Sequence, residues 1–260
     1  MSKANAIKTF RDMLSFLTII PLAKTEEFVH TSSKNMYLFP VIGAFIGICS
    51  VAYLFSVRHI ILYLLNLANC FVQIPIAILF QAIPAAMTIA FLLVFTGFQH
   101  FDGIVDLGNA IGVKKIEDRR EIAHRWVVTY KGGLLAMFVE FAAFAGLFYL
   151  SGNIALRVLI VAEVTAKLAM VTIVWRGKAP HEGLGARFIA NAKRKLNYAA
   201  YGIAFLIGYI LLGYSGLIVV ALSVLFGLGM KKVGDKVFGG VSGDMIGATN
   251  EVTRALTLVI

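Results

Sequence analysis

Residues 96–109 combine two carboxylates, a histidine and an amide in a pattern suited to binding a metal ion. The stretch reads Thr-Gly-Phe-Gln-His-Phe-Asp-Gly-Ile-Val-Asp-Leu-Gly-Asn and follows a long apolar run. In a helix, Asp102, Asp106 and Asn109 share one face because they are spaced i, i+4 and i+7. Carboxylates one turn apart repel each other unless a cation lies between them, and a hard divalent cation takes such oxygen ligands and often bridges to a substrate phosphate. The competing interpretation is a solvated polar turn at a membrane edge.

A second acidic stretch, residues 239–251, lies near the carboxyl end. It reads Gly-Gly-Val-Ser-Gly-Asp-Met-Ile-Gly-Ala-Thr-Asn-Glu, so in a helix Asp244 and Glu251 share a face with two very small residues. Gly243 and its neighbours allow the backbone to approach a ligand. Ser242 or Asp244 could cap a helix whose positive end would attract phosphate. Small faces also mediate close helix packing in membranes, which is the alternative interpretation.

Two basic segments could supply partners for a phosphate. The planar guanidinium group binds phosphate oxygens bidentately, which makes Arg119 and Arg120 in the first segment and Arg187 in the second candidate substrate ligands. The first segment also contains His124 and Arg125. A solvated polar helix with ion pairs four residues apart would explain the charges of the first segment equally well.

The composition identifies a helical membrane protein. Of the 260 residues, 59% are hydrophobic and 15% are charged, whereas soluble domains carry about 25% charged residues. A helix that crosses a membrane needs roughly 17–25 apolar residues. The runs that meet this requirement are 36–57, 71–98, 134–150, 154–175 and 199–230, and the last of them is long enough for two short helices. We expect an all-α, polytopic bundle of about seven spans, forming a single integral membrane domain over residues 1–260.

The charge distribution predicts how the chain is oriented. The net charge is +10, but the lysines and arginines alternate between loops as the positive-inside rule requires, which argues against nucleic acid as the partner. This pattern places the amino terminus and the Asp102 stretch in the cytoplasm and the carboxyl terminus outside. Phe10, Leu14 and Leu17 lie on one helical face, so the amino-terminal residues should form an amphipathic helix on the membrane surface. Membrane lipid is therefore an expected partner, and a homo-oligomer is left open.

Four charged residues fall inside the predicted third and fourth spans, where charge is costly. Glu163 and Lys167 are four residues apart with the acid first, the favourable order for a helical ion pair, so mutual neutralisation is favoured over substrate contact. Glu140 has no partner in its own helix, and Arg157 lies on the same span as Glu163.

Taken together, the motifs resemble those of the cobalamin synthase family, the adenosylcobinamide-GDP ribazoletransferases. The specific pieces are His100-x-Asp-Gly-x-x-Asp106 and Gly239-Gly-x-Ser-Gly-Asp244-x-x-Gly-Ala-x-x-Glu251. The weaker pieces are Leu17-Thr-Ile-Ile-Pro21, Pro40-Val-Ile-Gly43 and Ala179-Pro180-x-x-Gly183-Leu-Gly185-x-x-Phe188. They occur in order along almost the whole chain.

The resemblance implies a reaction and a role for each acidic residue. Members of this family join adenosylcobinamide-GDP to α-ribazole or its 5′-phosphate, release GMP and require Mg²⁺. Carried over to this sequence, the resemblance implies that Asp102, Asp106, Asp244 and Glu251 bind or orient the metal. It implies that His100 accepts a proton or contacts a phosphate. Displacement at a diphosphate depends on charge neutralisation and in-line positioning, which agrees with a site made of carboxylates.

Four positions depart from the pattern of the family. Asn109 stands where the family usually has a third aspartate, and Ala110 stands where a glycine usually follows it. Arg125 stands where an acid is expected, and Arg254 where many members have a second glutamate. An amide can still offer a carbonyl oxygen to a metal or to a metal-bound water, although with less charge. We therefore expect Asn109 to assist at the site without being indispensable.

Two functions of other classes compete with this assignment. A CDP-alcohol phosphotransferase also uses carboxylates to break a diphosphate, but it needs the pattern Asp-x-x-Asp-Gly-x-x-Ala-Arg, which the spacing of Asp102 and Asp106 does not match. A transporter would explain broken spans and buried charges, but the sequence shows no convincing internal repeat. The sequence does not decide which lower-ligand base is accepted or how many metal ions are bound.

Overall fold

The computed structural model describes residues 3–23, 27–123, 127–150, 152–192 and 195–260. Within these ranges the chain forms twelve α-helices and two short 3₁₀ helices, at Met36–Leu38 and Lys195–Asn197, and no strand. The α-helices are α1 (Lys3–Leu17), α2 (Phe28–Lys34), α3 (Phe39–Asn69), α4 (Ile76–Phe95), α5 (Gln99–Ala110), α6 (Ile116–Ala123), α7 (Tyr130–Tyr149), α8 (Gly152–Arg176), α9 (Leu184–Ala192), α10 (Tyr198–Leu212), α11 (Tyr214–Phe238) and α12 (Gly243–Val259).

Six helical segments of the described chain are long and apolar enough to cross a membrane. They are Met36–Asn69, Ile76–Phe95, Tyr130–Tyr149, Gly152–Arg176, Lys195–Leu212 and Tyr214–Phe238. Helix α12 is more polar, but its 17 residues extend for about 25 Å. Its last turn reaches the far end of α7, where a β-carbon at Gly146 would lie 2.5 Å from the Leu258 carbonyl oxygen. The predicted all-α polytopic bundle of about seven spans is confirmed.

Helix α8 is the centre of the bundle. The most apolar window of α8 is 83% buried, whereas no other candidate span exceeds 44%, because α3, α10, α11 and α12 all pack on it. Helix α3 approaches α8 through two glycines. A β-carbon at Gly43 would lie 2.5 Å from the carbonyl oxygen of Glu163, and one at Gly47 would lie 2.7 Å from the α-carbon of Ile160. Larger residues would hold α3 away from the charged segment of α8.

The predicted amphipathic amino-terminal helix is α1, and it packs on the bundle by its apolar face. Met13, Leu14 and Leu17 are buried, whereas Ile7 is 71% exposed. The Phe16 ring stacks on the ring of Phe188 in α9, with centroids 5.2 Å apart. Helix α1 therefore joins α9 at the end of the bundle where α5 and α12 begin.

Candidate active site

A left-handed turn separates α4 from α5 and sets the direction of the first acidic stretch. Gly97 has a φ of 66° and Phe98 a φ of 56°. The left-handed conformation is free for glycine but costs a residue such as Phe98 about 1 kcal/mol. The Phe98 carbonyl then accepts a hydrogen bond from the Asp102 amide at 2.9 Å. The turn thus ends the apolar span and presents Asp102 in the first turn of a new helix.

Helices α5 and α12 cross in backbone contact, which brings the two acidic stretches together. A β-carbon at Gly103 would overlap the Asp244 carbonyl oxygen and lie 2.9 Å from the Ala248 amide nitrogen. On the opposite helix, a β-carbon at Gly247 would lie 3.1 Å from the α-carbon of His100. The small residues of both stretches therefore serve helix packing, as the packing interpretation of the second stretch required, and this packing positions the acids.

The crossing predicts unequal effects of adding a methyl group on its two sides. Gly103→Ala should lower activity at least about a hundredfold, since the alanine side chain overlaps backbone atoms that cannot rotate away. Gly247→Ala should have a smaller effect, because its contacts are longer. Gly229→Ala is the matched control, since nothing lies within 4 Å of its added carbon. Turnover of the three purified variants checks this, and an unaffected Gly103→Ala would contradict the crossing.

Three aspartates face one another across this crossing. Asp106 is buried, Asp244 is half-buried and Asp102 is exposed. Burial, followed by the charge of Asp244, raises the pKa of Asp102. Burial, then Asp244 and then Asp102, raises the pKa of Asp106 to about 7. Such mutual repulsion is characteristic of carboxylates arranged to share a cation.

His100 lies beside these acids in a different protonation environment. Its side chain is 5% exposed, and among the described residues its Nε2 atom meets no hydrogen-bond partner. Burial, followed by the positive charges of Lys167 and Arg254, lowers its pKa well below the ordinary value. The imidazole is therefore neutral at pH 7, and the same effects make it a weaker base than a free imidazole. Together with Asp244 it lines a cavity of about 480 Å³.

Ser242 caps α12, as the sequence suggested. Its Oγ atom accepts a hydrogen bond from the Met245 amide at 3.3 Å and lies 3.2 Å from Oδ2 of Asp244. The backbone at Gly243 lines the cavity and is supported by Gly185, whose β-carbon would lie 3.0 Å from the Gly243 nitrogen. The cap therefore fixes the Asp244 carboxylate. The prediction that Ser242 and Gly243 bind substrate stays a prediction.

Glu251 lies two turns farther along α12 in a buried ionic network. Its carboxylate is bonded to Arg254, which also bonds Glu163, and its Oε1 accepts a hydrogen bond from Asn250 at 3.0 Å. Seven residues of helix separate it from Asp244 by about 10 Å. The assignment of Glu251 as a metal ligand stays a prediction, but the structure provides this carboxylate with a cationic partner of its own.

The same network accounts for the charges inside the spans. The predicted pair of Glu163 and Lys167 is present at 3.7 Å, and Nζ of Lys167 also donates to the side-chain Oδ1 of Asn250 at 2.6 Å. Arg254 therefore neutralises carboxylates on α8 and α12, which explains the departure at this position. Both carboxylate oxygens of Glu140 are buried without a hydrogen-bond partner among the described residues.

Asn109 holds a loop rather than facing the other acids. Its Nδ2 donates to the Val127 carbonyl at 2.7 Å, and its Oδ1 accepts bonds from the Thr129 amide at 3.0 Å and hydroxyl at 2.7 Å. These bonds fasten the start of α7 to α5. An aspartate at position 109 has no N–H group to donate, and its carboxylate would repel the Val127 carbonyl oxygen. The hydrogen bond to Val127 therefore explains why this position holds an amide. Its predicted contact with metal or substrate stays a prediction.

The arginines of α6 bind the end of another helix. Arg119 donates to the carbonyls of Lys236 and Val237 at 2.9 and 3.2 Å, and Arg120 donates to the Phe238 carbonyl at 2.9 Å. These are unsatisfied carbonyls of the last turn of α11, where cations are favourable. Arg187 is exposed on α9. The predictions made for His124 and Arg125 lie outside the described residues.

These partners predict opposite effects of removing the arginines. Neutralising Arg119 and Arg120 together should lower the thermal unfolding temperature by several degrees without changing the KM for the nucleotide substrate, because their donors are already engaged. Arg187→Gln should leave unfolding unchanged and raise that KM. Thermal melts and initial rates of the purified variants measure both. A raised KM without loss of stability in the double variant would instead support the direct phosphate contact that the sequence predicted.

The sequence did not show that one group of residues lies beside the acids. His181, Glu182, Phe16 and Phe188 line the cavity beside His100 and Asp244, although they belong to segments distant in the chain. Only the proline- and glycine-rich stretch before Phe188 drew attention to one of these segments.

Fold and site together define an integral membrane protein with a cluster of carboxylates at one end of a helical bundle. The family model for cobalamin-5-phosphate synthase matches residues 9–260, so the chain belongs to that family, whose members are transferases of cobalamin synthesis.

Curated relatives cover nearly the whole chain. The chain is 29% identical to the adenosylcobinamide-GDP ribazoletransferase of Methanocella arvoryzae, over 98% of this chain and 95% of that protein. It is 30% identical to the enzyme of the same name from Haloquadratum walsbyi, over 97% of this chain and 96% of that protein. No solved structure gives a significant match. The resemblance seen in the motifs is confirmed.

Proposed function

We propose that the protein joins α-ribazole, or its 5′-phosphate, to adenosylcobinamide-GDP and releases GMP, completing the nucleotide loop of cobalamin. The observation that carries the proposal is the family match over residues 9–260, combined with the crossing that gathers Asp102, Asp106 and Asp244. The names of the relatives supply the substrates. The family match favours this function over a CDP-alcohol phosphotransferase or a transporter.

The reaction is an in-line displacement at the phosphorus atom on the cobinamide side of the diphosphate. A ribose hydroxyl oxygen of the acceptor forms the new bond to phosphorus, and the bond from that phosphorus to the bridging oxygen breaks, so that GMP leaves. The hydroxyl proton passes to Nε2 of His100, which is neutral and without a protein partner among the described residues. Ser242 holds Asp244 in place while this occurs.

The donor set fits Mg²⁺. Three carboxylates with mutual repulsion favour a hard divalent cation, which when bound would neutralise the diphosphate. Within the described ranges, no three acidic, histidine or cysteine side chains form a ready-made metal cage. Mg²⁺ usually keeps several water ligands and also binds substrate phosphates, so the aspartates need to supply only part of its shell. We propose Asp102, Asp106 and Asp244 as the holding residues, with Glu251 occupied by Arg254.

The site faces the cytoplasm in our proposal. The acids lie where α5 and α12 begin, at the end of the bundle that also carries the basic loops before α7 and after α8. Basic loops remain on the cytoplasmic side of the cell membrane. Surrounding lipid would contact the exposed apolar faces, while the substrates would enter from the cytoplasm.

The test is GMP release by the purified protein in detergent or lipid. Adenosylcobinamide-GDP with α-ribazole 5′-phosphate and Mg²⁺ should give GMP and the joined product in equal amounts, and omission of the acceptor should stop the reaction. Release of CMP from a CDP-alcohol, with no GMP from cobinamide-GDP, would overturn the proposal and support the competing phosphotransferase.

Metal binding should weaken as the pH falls through 7. Because the pKa of Asp106 is raised to about 7, this side chain is mostly protonated at pH 6 and mostly ionised at pH 8, about a tenfold change in the ionised fraction. Titration with Mn²⁺, followed by its magnetic resonance signal, should show the affinity about tenfold higher at pH 8. Asp106→Asn should remove this pH dependence. Equal affinity of the unaltered protein at the two pH values would contradict the prediction.

A further inference from the structure

The cavity beside the three aspartates has a mainly apolar interior. Its volume is about 480 Å³, and it lies between α1, the start of α3, the start of α5, the end of α8, α9 and the start of α12. The apolar side chains that line it are Phe16, Phe39, Met170, Val174, Leu184, Phe188 and Ile246. The cluster of acids suits the charged diphosphate but gives no reason for an apolar cavity beside it. We therefore expect the cavity to bind an apolar part of a substrate.

One wall of this cavity is aromatic. The rings of Phe16 and Phe188 are stacked at 26° with centroids 5.2 Å apart, and the ring of Phe39 lies 6.1 Å from that of Phe188. Such a wall favours a flat, aromatic ligand. The hydrogen-bonding side chains among the described lining residues are Gln99, His100, His181, Glu182 and Asp244, which come from the starts of α5 and α12 and from the loop before α9.

We propose that this cavity binds the heteroaromatic base of the acceptor nucleoside and prefers fused apolar bases of the benzimidazole type to purines. The inference rests on the proposed function and specifies which substrate enters the cavity. A volume of about 480 Å³ lies in the range of small-molecule sites and admits a nucleoside. The corrin macrocycle of the other substrate is far larger, so that substrate must reach the aspartates from outside the cavity.

The position of the polar groups gives the acceptor a direction. With its base against the aromatic wall, the ribose lies toward His100 and Asp244, which line the same cavity. The attacking hydroxyl then meets the unpartnered Nε2 of His100. A purine, including the guanine of GDP, would bring ring nitrogens and exocyclic groups against apolar side chains, where unpaired polar groups are unfavourable. The apolar part of the lining therefore disfavours purines.

The inference is tested by a substitution on α8 that places a larger side chain in the cavity. Val174→Phe should raise the KM for α-ribazole 5′-phosphate at least about tenfold and leave the KM for adenosylcobinamide-GDP within about twofold. Val219→Phe is the matched control, because it adds the same group to a cavity of about 440 Å³ that lies at the other end of α12. This control should leave both KM values unchanged.

A second variant covers the case in which Val174→Phe does not fold, as judged by its thermal melt. Phe188→Leu removes the stacking ring without crowding, and it should weaken binding of the acceptor and reduce the preference for a benzimidazole over an adenine nucleotide as acceptor. Unchanged acceptor KM and selectivity in the folded variants would overturn the inference. A raised KM for cobinamide-GDP alone would overturn it in favour of guanine binding. Failure of the unaltered protein to release GMP would instead refute the proposed function.

Discussion

Asp106→Asn and Asp244→Asn should each reduce turnover by about a hundred- to a thousandfold or more while the protein still folds. These two carboxylates belong to different helices, and the crossing at Gly103 brings them close enough that Asp244 raises the pKa of Asp106. Loss of either removes negative charge from the place where the diphosphate must be neutralised. Asparagine keeps the size of the side chain, so packing of α5 against α12 should persist.

The measurement is turnover against Mg²⁺ concentration, with folding checked by thermal unfolding. Both variants should need more metal and fail to regain full rate at saturation. Asp235→Asn is the control, because Asp235 is a half-buried carboxylate on α11 that is paired with Lys231. Ion pairs that remain in contact with solvent contribute little to stability. Full activity of Asp106→Asn at ordinary Mg²⁺ concentration would exclude the three-aspartate site.

The helical membrane class and the two acidic stretches could be predicted from the sequence because both are local signals. Apolar run length determines which segments can cross a membrane, and the i, i+4 spacing of Asp102 and Asp106 puts them on one face. Gly103 and Gly247 were visible as small residues, but only the crossing shows that each one meets the other helix.

The partners of the arginines could not be predicted, because they depend on tertiary position. Arg119 bonds carbonyls at Lys236 and Val237, more than a hundred residues away, so a phosphate-binding role and a helix-capping role look alike in the sequence. The role of Asn109 was equally hidden. Its spacing placed it on the same helical face as Asp102 and Asp106, but its side chain bonds the loop at Thr129. The aromatic cavity was also hidden, since its lining comes from six helices that are far apart in the chain.

Arg254→Met should destabilise the protein by about 3–5 kcal/mol, the usual effect of breaking a buried ion pair on one side. Arg254 is fully buried and bonded to Glu163 and Glu251, which are also buried. Lys167 can still neutralise Glu163, so the carboxylate of Glu251 is left uncompensated. Unfolding in mixed micelles with increasing denaturant measures the loss. Arg157→Met is the matched control, since Arg157 is exposed on the same central helix and should change stability little.

The double variant Glu251→Gln with Arg254→Met decides what Glu251 does. The double variant lacks both the negative charge of Glu251 and the positive charge of Arg254. The ion pair of Glu163 and Lys167 remains, so most of the lost stability should return. If Glu251 serves only as the partner of Arg254, activity should return as well, because Asp102, Asp106 and Asp244 are untouched. If Glu251 binds the metal, stability should recover while activity and Mg²⁺ affinity stay low. We expect recovery of both, since Arg254 occupies the carboxylate about 10 Å along the helix from Asp244.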